Sequence, residues 1–197
     1  MLYLFGDSHA HFSFKNVKRD YDDCHCASVT MHRMGRDNEI IYLDTVRLRA
    51  GDDVVLSYGE VDCRCHVQRQ VDAGRDEDEV IQELVSNYFR TLFSNLSSVP
   101  LRVIVLGVIP PTKRDDYESL HGPIAHEFPF VGSDDARVRY TDKVNFLLKE
   151  KAAQNNYVYF NPYAYCTRPD GTLKHEMSDT TVHLKDNALF LEKFNEI

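Results

Sequence analysis

The sequence predicts an α/β fold built on a five-stranded parallel sheet, and three observations lead to this prediction. Short apolar segments rich in β-branched residues alternate with longer segments whose apolar residues follow helical spacing. The intervening segments are long enough for the crossovers that parallel strands require. The 197 residues, of which 43% are hydrophobic and 27% charged, are typical of one globular domain. We therefore expect a single domain over 1–197, with helices on both faces of the sheet.

Each strand has its own signal in the sequence. The fourth is the strongest, because its β-branched residues end at two prolines that cannot continue a strand. The second is the weakest. In order, the predicted strands are LYLF at 2–5, ASVTM at 27–31, DVVLSY at 53–58, LRVIVLGVIPP at 101–111 and YVYFN at 157–161.

The helices and one long loop are predicted from the remaining segments. Helical spacing of apolar residues, with acids in the first turn, predicts a helix over 76–96. A second helix begins at Ser133–Asp134 and continues to Lys151, and a short amphipathic helix covers 184–194. The segment 113–135 is predicted to be a long loop, which suggests a lid, a substrate wall or an oligomer contact.

The first strand ends in FGDSHA, which places reactive residues at the edge where ligands bind to parallel sheets. Gly6 allows a sharp turn, and Asp7 can cap the segment that follows. Ser8 then lies near the start of a helix, where it could act as a nucleophile whose own N–H stabilises an oxyanion. Taken alone, this segment is better explained as a simple helix cap.

A serine nucleophile needs a base, and the base needs an acid that fixes its tautomer. The segment SDTTVHLKDN at 178–187 offers Asp179 and His183 in a loop after the last strand. Both could reach the edge that carries Ser8. The alternative is a surface loop with an incidental histidine, since the chain has nine.

A third segment, LSYGEVDCRCHV at 56–67, places Glu60, Asp62, Arg64 and His66 directly after a buried strand. Arg64 could bind a carboxylate, a phosphate or a developing oxyanion. Equally, Asp62 and Arg64 could form a structural ion pair in a capped loop. His9, beside Ser8, is a poor base because neighbouring side chains diverge, but it could line the substrate pocket.

Together these segments resemble the SGNH, or GDSL, hydrolases. GDS at 6–8 is similar to that family's first block, GEVDCR at 59–64 to its third, and SDTTVHL at 178–184 to its last. The resemblance implies a flavodoxin-like three-layer α/β/α sandwich and ester or acetyl hydrolysis. It also implies a Ser8–His183–Asp179 triad, with Gly35 in MHRMGRD as a backbone donor to the oxyanion. The third block supplies Gly59, Glu60 and Asp62 as further oxyanion- or substrate-binding residues, and its GEVDCR form suggests a subgroup.

The sequence departs from the family pattern in two places. The family's third block reads Gly-x-Asn-Asp, and its Asn donates to the oxyanion, whereas Val61 occupies that position here. Arg64 is the suggested substitute. The usual Asp-x-x-His spacing is also one residue longer, because Thr180 stands where the family has Asp. Asp179 is retained as the acid of the triad because a loop can absorb one residue.

Composition excludes several classes of protein. A net charge of −8 argues against nucleic-acid binding. No apolar segment is long enough to span a membrane, and no secretion signal is recognisable, so we expect a cytoplasmic protein with reduced thiols. The pairs Cys24/Cys26 and Cys63/Cys65 have a one-residue gap, which is unusual for zinc, so neither a metal nor another cofactor is expected.

The sequence therefore favours a serine esterase acting on a small-molecule or glycan acyl ester, with an acetylated carbohydrate as the leading class. An acyltransferase with the same triad is one alternative. A non-catalytic glycan-binding protein with the same fold is another, supported by the missing Asn. The oligomeric state is not predicted.

Overall fold

The computed structural model describes residues 1–36, 47–125 and 127–197. The sheet has five strands, and every neighbouring pair is parallel. The strands are β1 (Leu2–Gly6), β2 (Tyr21–Asp23), β3 (Asp53–Ser57), β4 (Arg102–Leu106) and β5 (Val158–Phe160). Their order is β2-β1-β3-β4-β5, as in flavodoxin-like folds. The direction of winding therefore reverses between β1 and β3, and ligands bind at such a point.

Helices cover both faces, which confirms the predicted three-layer architecture. The helices are α1 (Ser8–Phe14), α2 (Met31–Arg36), α3 (Val67–Asp72), α4 (Glu77–Leu96), α5 (Arg114–His121), α6 (Asp134–Gln154), α7 (Tyr163–Cys166) and α8 (Ala188–Phe194). A π-helical turn at Asp62–His66 precedes α3, and a 3₁₀ turn lies at His175–Met177.

Alternate residues of the strands belong to two separate cores, as the period of two requires. In β3, Val54 and Leu56 pack with α2, α4 and α6, whereas Val55 packs with α1 and α8. The central strands are buried on both faces, which explains their continuous apolar sequences. None of the described helices is long and apolar enough to cross a membrane.

The prediction of the second strand is wrong. The strand is Tyr21–Asp23, whereas 27–31 forms a turn and the start of α2. Ser28 has a φ of +67°, which an extended strand cannot contain, and Thr30 Oγ1 accepts a hydrogen bond from Arg33 N. Val29 and Met31 are apolar because they pack in the core.

Other boundaries also differ from the predictions. The fourth strand ends at Leu106 rather than at the two prolines of 110–111. Segment 113–135 is not a continuous loop, because it contains α5, and the last helix begins at Ala188 rather than at 184. Leu184 instead forms an isolated antiparallel bridge with Ser178. This bridge closes the loop that carries Asp179 and His183.

Candidate active site

The first helix begins directly at the end of β1 and places Ser8 at its first position. Asp7 is the N-cap, and its Oδ1 accepts a hydrogen bond of 2.9 Å from His9 N. Gly6 does not have a left-handed backbone conformation. Glycine is required there because a side chain would not fit. A Cβ there would lie 2.4 Å from Ala10 Cβ and 2.5 Å from Ser57 O. The close approach of α1 to β3 therefore depends on Gly6.

Ser8, His183 and Asp179 lie in one hydrogen-bonded series. Ser8 Oγ lies 2.9 Å from His183 Nε2, although 175 positions separate the two residues. His183 Nδ1 lies 3.3 Å from Asp179 Oδ2. In this arrangement Nδ1–H donates to the carboxylate and Nε2 accepts from the serine hydroxyl, which is the tautomer a general base requires.

The additional residue in the Asp–His spacing is absorbed at Thr180. Its φ is +72°, a left-handed conformation that is uncommon outside glycine. Its carbonyl oxygen accepts a hydrogen bond of 2.9 Å from His121 Nε2 at the end of α5. The loop also closes on itself, because Asp179 N donates to His183 O at 3.0 Å. Asp179 can therefore occupy the acid position despite the longer spacing.

Sequence reasoning missed Thr181, which lies between the acid and the base. Its hydroxyl donates to Asp179 Oδ1 at 2.6 Å and can accept from His183 Nδ1 at 3.1 Å. The imidazole thus reaches the carboxylate both directly and through a hydroxyl. A family pattern that reads only the acid and the base gives no signal for such a residue.

The His183 ring rests against two rings from α1. Phe12 stacks on it with a centroid distance of 4.3 Å, and the His9 ring lies at 4.7 Å. Phe12 was also missed by sequence reasoning, although its position four residues after Ser8 places both on one helix face. These contacts restrict the rotation of the imidazole.

Burial and neighbouring charges set the protonation of the His183–Asp179 pair. Burial lowers the pKa of His183, and the nearby His9 lowers it further, while Asp179 opposes both. Burial raises the pKa of Asp179, but hydrogen bonds from His183 and Thr181 outweigh it and hold that pKa well below its usual range. A neutral imidazole beside an ionised carboxylate is the state that can accept a proton.

A buried series of alternating charges, His9–Glu60–Arg64, lies beside this site. Arg64 Nε lies 3.0 and 3.1 Å from the two oxygens of Glu60. His9 Nε2 approaches Glu60 Oε2 at 2.9 Å, although the angle falls outside that of a hydrogen bond. All three residues are no more than 5% exposed. Arg64 also donates to Phe128 O at 2.7 Å.

The pKa directions agree with charged partners in this series. Burial raises the pKa of Glu60, but Arg64 and His9 outweigh it and lower the value to about 2. Burial lowers the pKa of His9, but Glu60 and Asp7 raise it above its ordinary value. Burial raises the pKa of Asp7 to about 6. Two neighbouring acids, Glu60 and Asp7, therefore favour the protonated form of His9.

Asp62 is placed where it supports the fold. Its side chain is buried and accepts hydrogen bonds from Met31 N at 2.8 Å and His32 N at 3.2 Å, which caps α2. It also lies 3.2 Å from His66 Nδ1. Burial lowers the pKa of His66, but hydrogen bonds to Asp62 and Cys65 raise it to about 10. The structure thus pairs Asp62 with His66 and Arg64 with Glu60, not Asp62 with Arg64.

The two glycines predicted to bind the oxyanion have packing roles in the structure. Gly35 lies inside α2, where a Cβ would approach Asn87 Cβ of α4 to 2.8 Å. Its role as an oxyanion donor stays a prediction that these contacts do not support. Gly59 has a φ of +119°, and a Cβ there would lie 2.9 Å from Met31 Cε. Gly35 is therefore needed for the close approach of α2 to α4, and Gly59 for its left-handed backbone conformation.

A cavity of about 540 Å³ opens on the α2–α4 side of the molecule. Asp62, His66 and several arginines line it, whereas Ser8, Asp179 and His183 do not. The Ser8 edge is therefore separate from this cavity.

Comparison with known proteins finds structural likeness only. No family model and no curated protein match the sequence. A GDSL-like lipase from Bacteroides thetaiotaomicron has a TM-score of 0.58 at 14% identity, over 98% of this chain and 83% of that one. An acetylxylan esterase from Geobacillus stearothermophilus, solved as a catalytic mutant, has a TM-score of 0.58 at 14% identity, over 99% of this chain and 92% of that one. The carboxy-terminal domain of Drosophila Oskar has a TM-score of 0.59 at 10% identity, over 99% of this chain and 85% of that one. The chain therefore has the α/β fold of the SGNH hydrolases.

Proposed function

We propose that this protein is a serine ester hydrolase that removes small acyl groups, with Ser8 as nucleophile, His183 as general base and Asp179 as the orienting acid. The observation that carries the proposal is the 2.9 Å separation between Ser8 Oγ and His183 Nε2. A helix cap explains Asp7 but does not explain why an imidazole from the other end of the sequence lies against the serine. The adjacent carboxylate completes the set of groups that acyl transfer needs.

The reaction proceeds in two halves. Ser8 Oγ attacks the carbonyl carbon of the ester while His183 Nε2 takes the hydroxyl proton, and the tetrahedral intermediate then expels the alcohol, which receives that proton. Water attacks the acyl-serine, with its proton taken by the same Nε2. The acid leaves as Ser8 Oγ regains the proton. Asp179 stabilises the imidazolium that forms in each half.

The proposed oxyanion site differs from that of the family in the side chain at position 61. Ser8 N–H, at the first position of α1, is a helical donor without an intrahelical acceptor. Val61 cannot donate through its side chain, and losing one such donor typically costs about 10²–10³ in rate. Arg64 is already bound to Glu60 and Phe128 O, so substitution by Arg64 requires these contacts to rearrange. We therefore expect a slow enzyme on simple esters.

An acetyl ester on a carbohydrate is the substrate class to test first. The fold shared with an acetylxylan esterase supports this choice. The proposal includes an intracellular location and no metal requirement for the ester chemistry itself. Release of free acetate, as opposed to its transfer to an added sugar, separates hydrolysis from the acyltransferase alternative.

The test is labelling with a fluorophosphonate probe, which reacts only with an activated serine and does not require the substrate to be known. We expect stoichiometric modification of Ser8, none in Ser8→Ala, and full labelling in the matched control Ser13→Ala, a serine of the same helix. Acetate release from 4-nitrophenyl acetate follows the same pattern. Absence of labelling in the folded wild type contradicts the proposal and favours a non-catalytic binding protein.

A further inference from the structure

A second cluster of titratable side chains lies about one helical turn along α1 from Ser8. It consists of His11 on α1 and of Asp23 and His25 at the end of β2, and is called here the His–Asp–His cluster. His11 Nδ1 lies 2.6 Å from Asp23 Oδ2, and His25 Nδ1 lies 2.8 Å from Asp23 Oδ1. One potential ligand atom from each residue lies within 4.8 Å of the other two.

The backbone that carries this cluster is held in place by the sheet. Beyond β2, Cys24 N donates to Leu4 O at 2.9 Å and Cys26 N to Gly6 O at 2.8 Å, so the parallel pairing with β1 continues. In an extended segment alternate side chains point to opposite faces. The two cysteines pack partly against the core on the α2 and α4 side. Asp23 and His25, the residue between the two cysteines, therefore face α1.

The charge of the cluster suits a cation. The ion-pair partners of Asp23 in the described part of the chain are the two histidines, and no lysine or arginine is among them. Burial raises the pKa of Asp23, but the hydrogen bonds from His11 and His25 outweigh it and lower that pKa. With neutral imidazoles the cluster carries one net negative charge and three donor atoms.

We infer that the His–Asp–His cluster is a binding site for a divalent transition-metal cation, with Zn²⁺ as the reference ion. Two imidazoles and one carboxylate form a donor set that zinc takes in proteins, and three protein ligands leave a fourth position open for water or another ligand. With metal–ligand distances near 2.1 Å, tetrahedral ligand atoms lie roughly 3.4 Å apart. The present separations bracket that value, so small side-chain rotations bring the atoms to ligand distances. The hydrogen on each Nδ1, which now lies against Asp23, is lost to water while Nε2 takes one up, so that each imidazole stays neutral and Nδ1 becomes the ligand atom. The inference does not depend on the proposed ester hydrolysis.

Sequence reasoning missed this site because it examined the thiols. In the segment CHC at 24–26 the cysteines attract attention, yet their one-residue spacing directs them away from His11. The donor set instead consists of His25, which lies between the two cysteines, Asp23, two residues earlier, and His11 of α1. Only the packing of α1 over β2 brings these three together.

The test is titration of the chelator-treated full chain with Zn²⁺ by calorimetry, and with Co²⁺ followed by its visible absorption. We expect one equivalent of either metal, with affinity reduced by at least about tenfold in His11→Ala and in His25→Ala. Asp23→Asn is expected to give a similar loss. Each variant is compared with wild type by circular dichroism to show that it is folded.

Two control variants make the result specific. His175→Ala removes an exposed histidine outside the cluster, and Cys24→Ser combined with Cys26→Ser removes the neighbouring thiols. Both are expected to retain one equivalent at wild-type affinity. The inference is wrong if no metal binds to wild type, if binding survives in His11→Ala and His25→Ala, or if it is lost in the cysteine variant. None of these outcomes depends on whether Ser8 is reactive.

Discussion

Replacing Asp62 by Asn tests whether the third sequence block supports the fold or binds substrate. The buried carboxylate accepts two backbone hydrogen bonds, from Met31 N and His32 N, at the start of α2. An amide retains one acceptor but turns an NH₂ donor towards the second N–H. One charge-assisted bond is then lost, worth about 1.5–3 kcal/mol, and the other becomes a neutral bond that is weaker by about 1 kcal/mol.

We therefore expect Asp62→Asn to lower the free energy of unfolding by at least about 3 kcal/mol, because the pairing with His66 Nδ1 at 3.2 Å is weakened as well. For a chain of this size that loss lowers Tm by roughly 6–12 °C. The measurement is urea unfolding followed by circular dichroism, together with a thermal scan. Below the transition, the rate of fluorophosphonate labelling at Ser8 should be close to that of wild type.

Asp76→Asn is the matched control. Asp76 caps α4 through a single oxygen, Oδ1, which accepts from Asp78 N at 2.9 Å and from Glu79 N at 3.0 Å. The amide oxygen of Asn can keep both of these bonds, and the side chain is exposed to solvent. Because Asn and Asp are equivalent caps where water can satisfy the remaining groups, we expect a change below about 0.5 kcal/mol. The reasoning is refuted if both variants lose equal stability, or if Asp62→Asn is as stable as wild type and loses only labelling.

Three further predictions concern the proposed triad and His9, whose ring lies against His183. In Asp179→Asn the amide oxygen can keep the bonds that Asp179 Oδ1 accepts, which turns the NH₂ donor towards His183 Nδ1 and favours the wrong tautomer. The labelling rate should therefore fall by about 10⁴, and a decrease of less than tenfold would contradict the assigned role. In wild type the pKa of His183 lies below the ordinary histidine value near 6.5, so the base stays neutral and labelling continues below that pH. Labelling is lost as the pH falls through the lowered pKa. His9→Gln removes a positive charge that contributes to this shift, so the acid limb of the pH–rate profile should move to higher pH; a limb that stays or moves lower shows that His9 does not act on His183.

Much of the architecture could be predicted because its signals are local. β3 and β4 are continuous apolar segments, and α4 and α6 begin at Asp76 and Ser133, whose side chains accept hydrogen bonds from the first turn. The second strand could not be predicted in the same way. β2 is an edge strand of three half-buried residues, Tyr21–Asp23, and carries too little apolar pattern to be recognised.

The candidate site was predictable where chain position determines placement, and not where side-chain partners do. Ser8 follows from the end of β1, and His183 was placed beside it by the resemblance, in a loop after the last strand. The pairing of Arg64 with Glu60 was not predicted, because the two become neighbours only through the helical turn that follows β3. Gly35 was assigned to the oxyanion by resemblance, whereas its packing against α4 depends on a helix pair distant in sequence.

The two ends of the domain are joined by aromatic packing as well as by the candidate site. Phe14 of α1 lies edge-on to Phe190 and Phe194 of α8, with centroids 5.3 and 4.8 Å apart. During synthesis Ser8 emerges 175 residues ahead of His183, so a nascent chain carries the hydroxyl long before it has a base. With the proposed chemistry, reactivity at Ser8 therefore begins only when the segment that carries His183 has reached α1, and a probe for that serine reports the joining of the two ends.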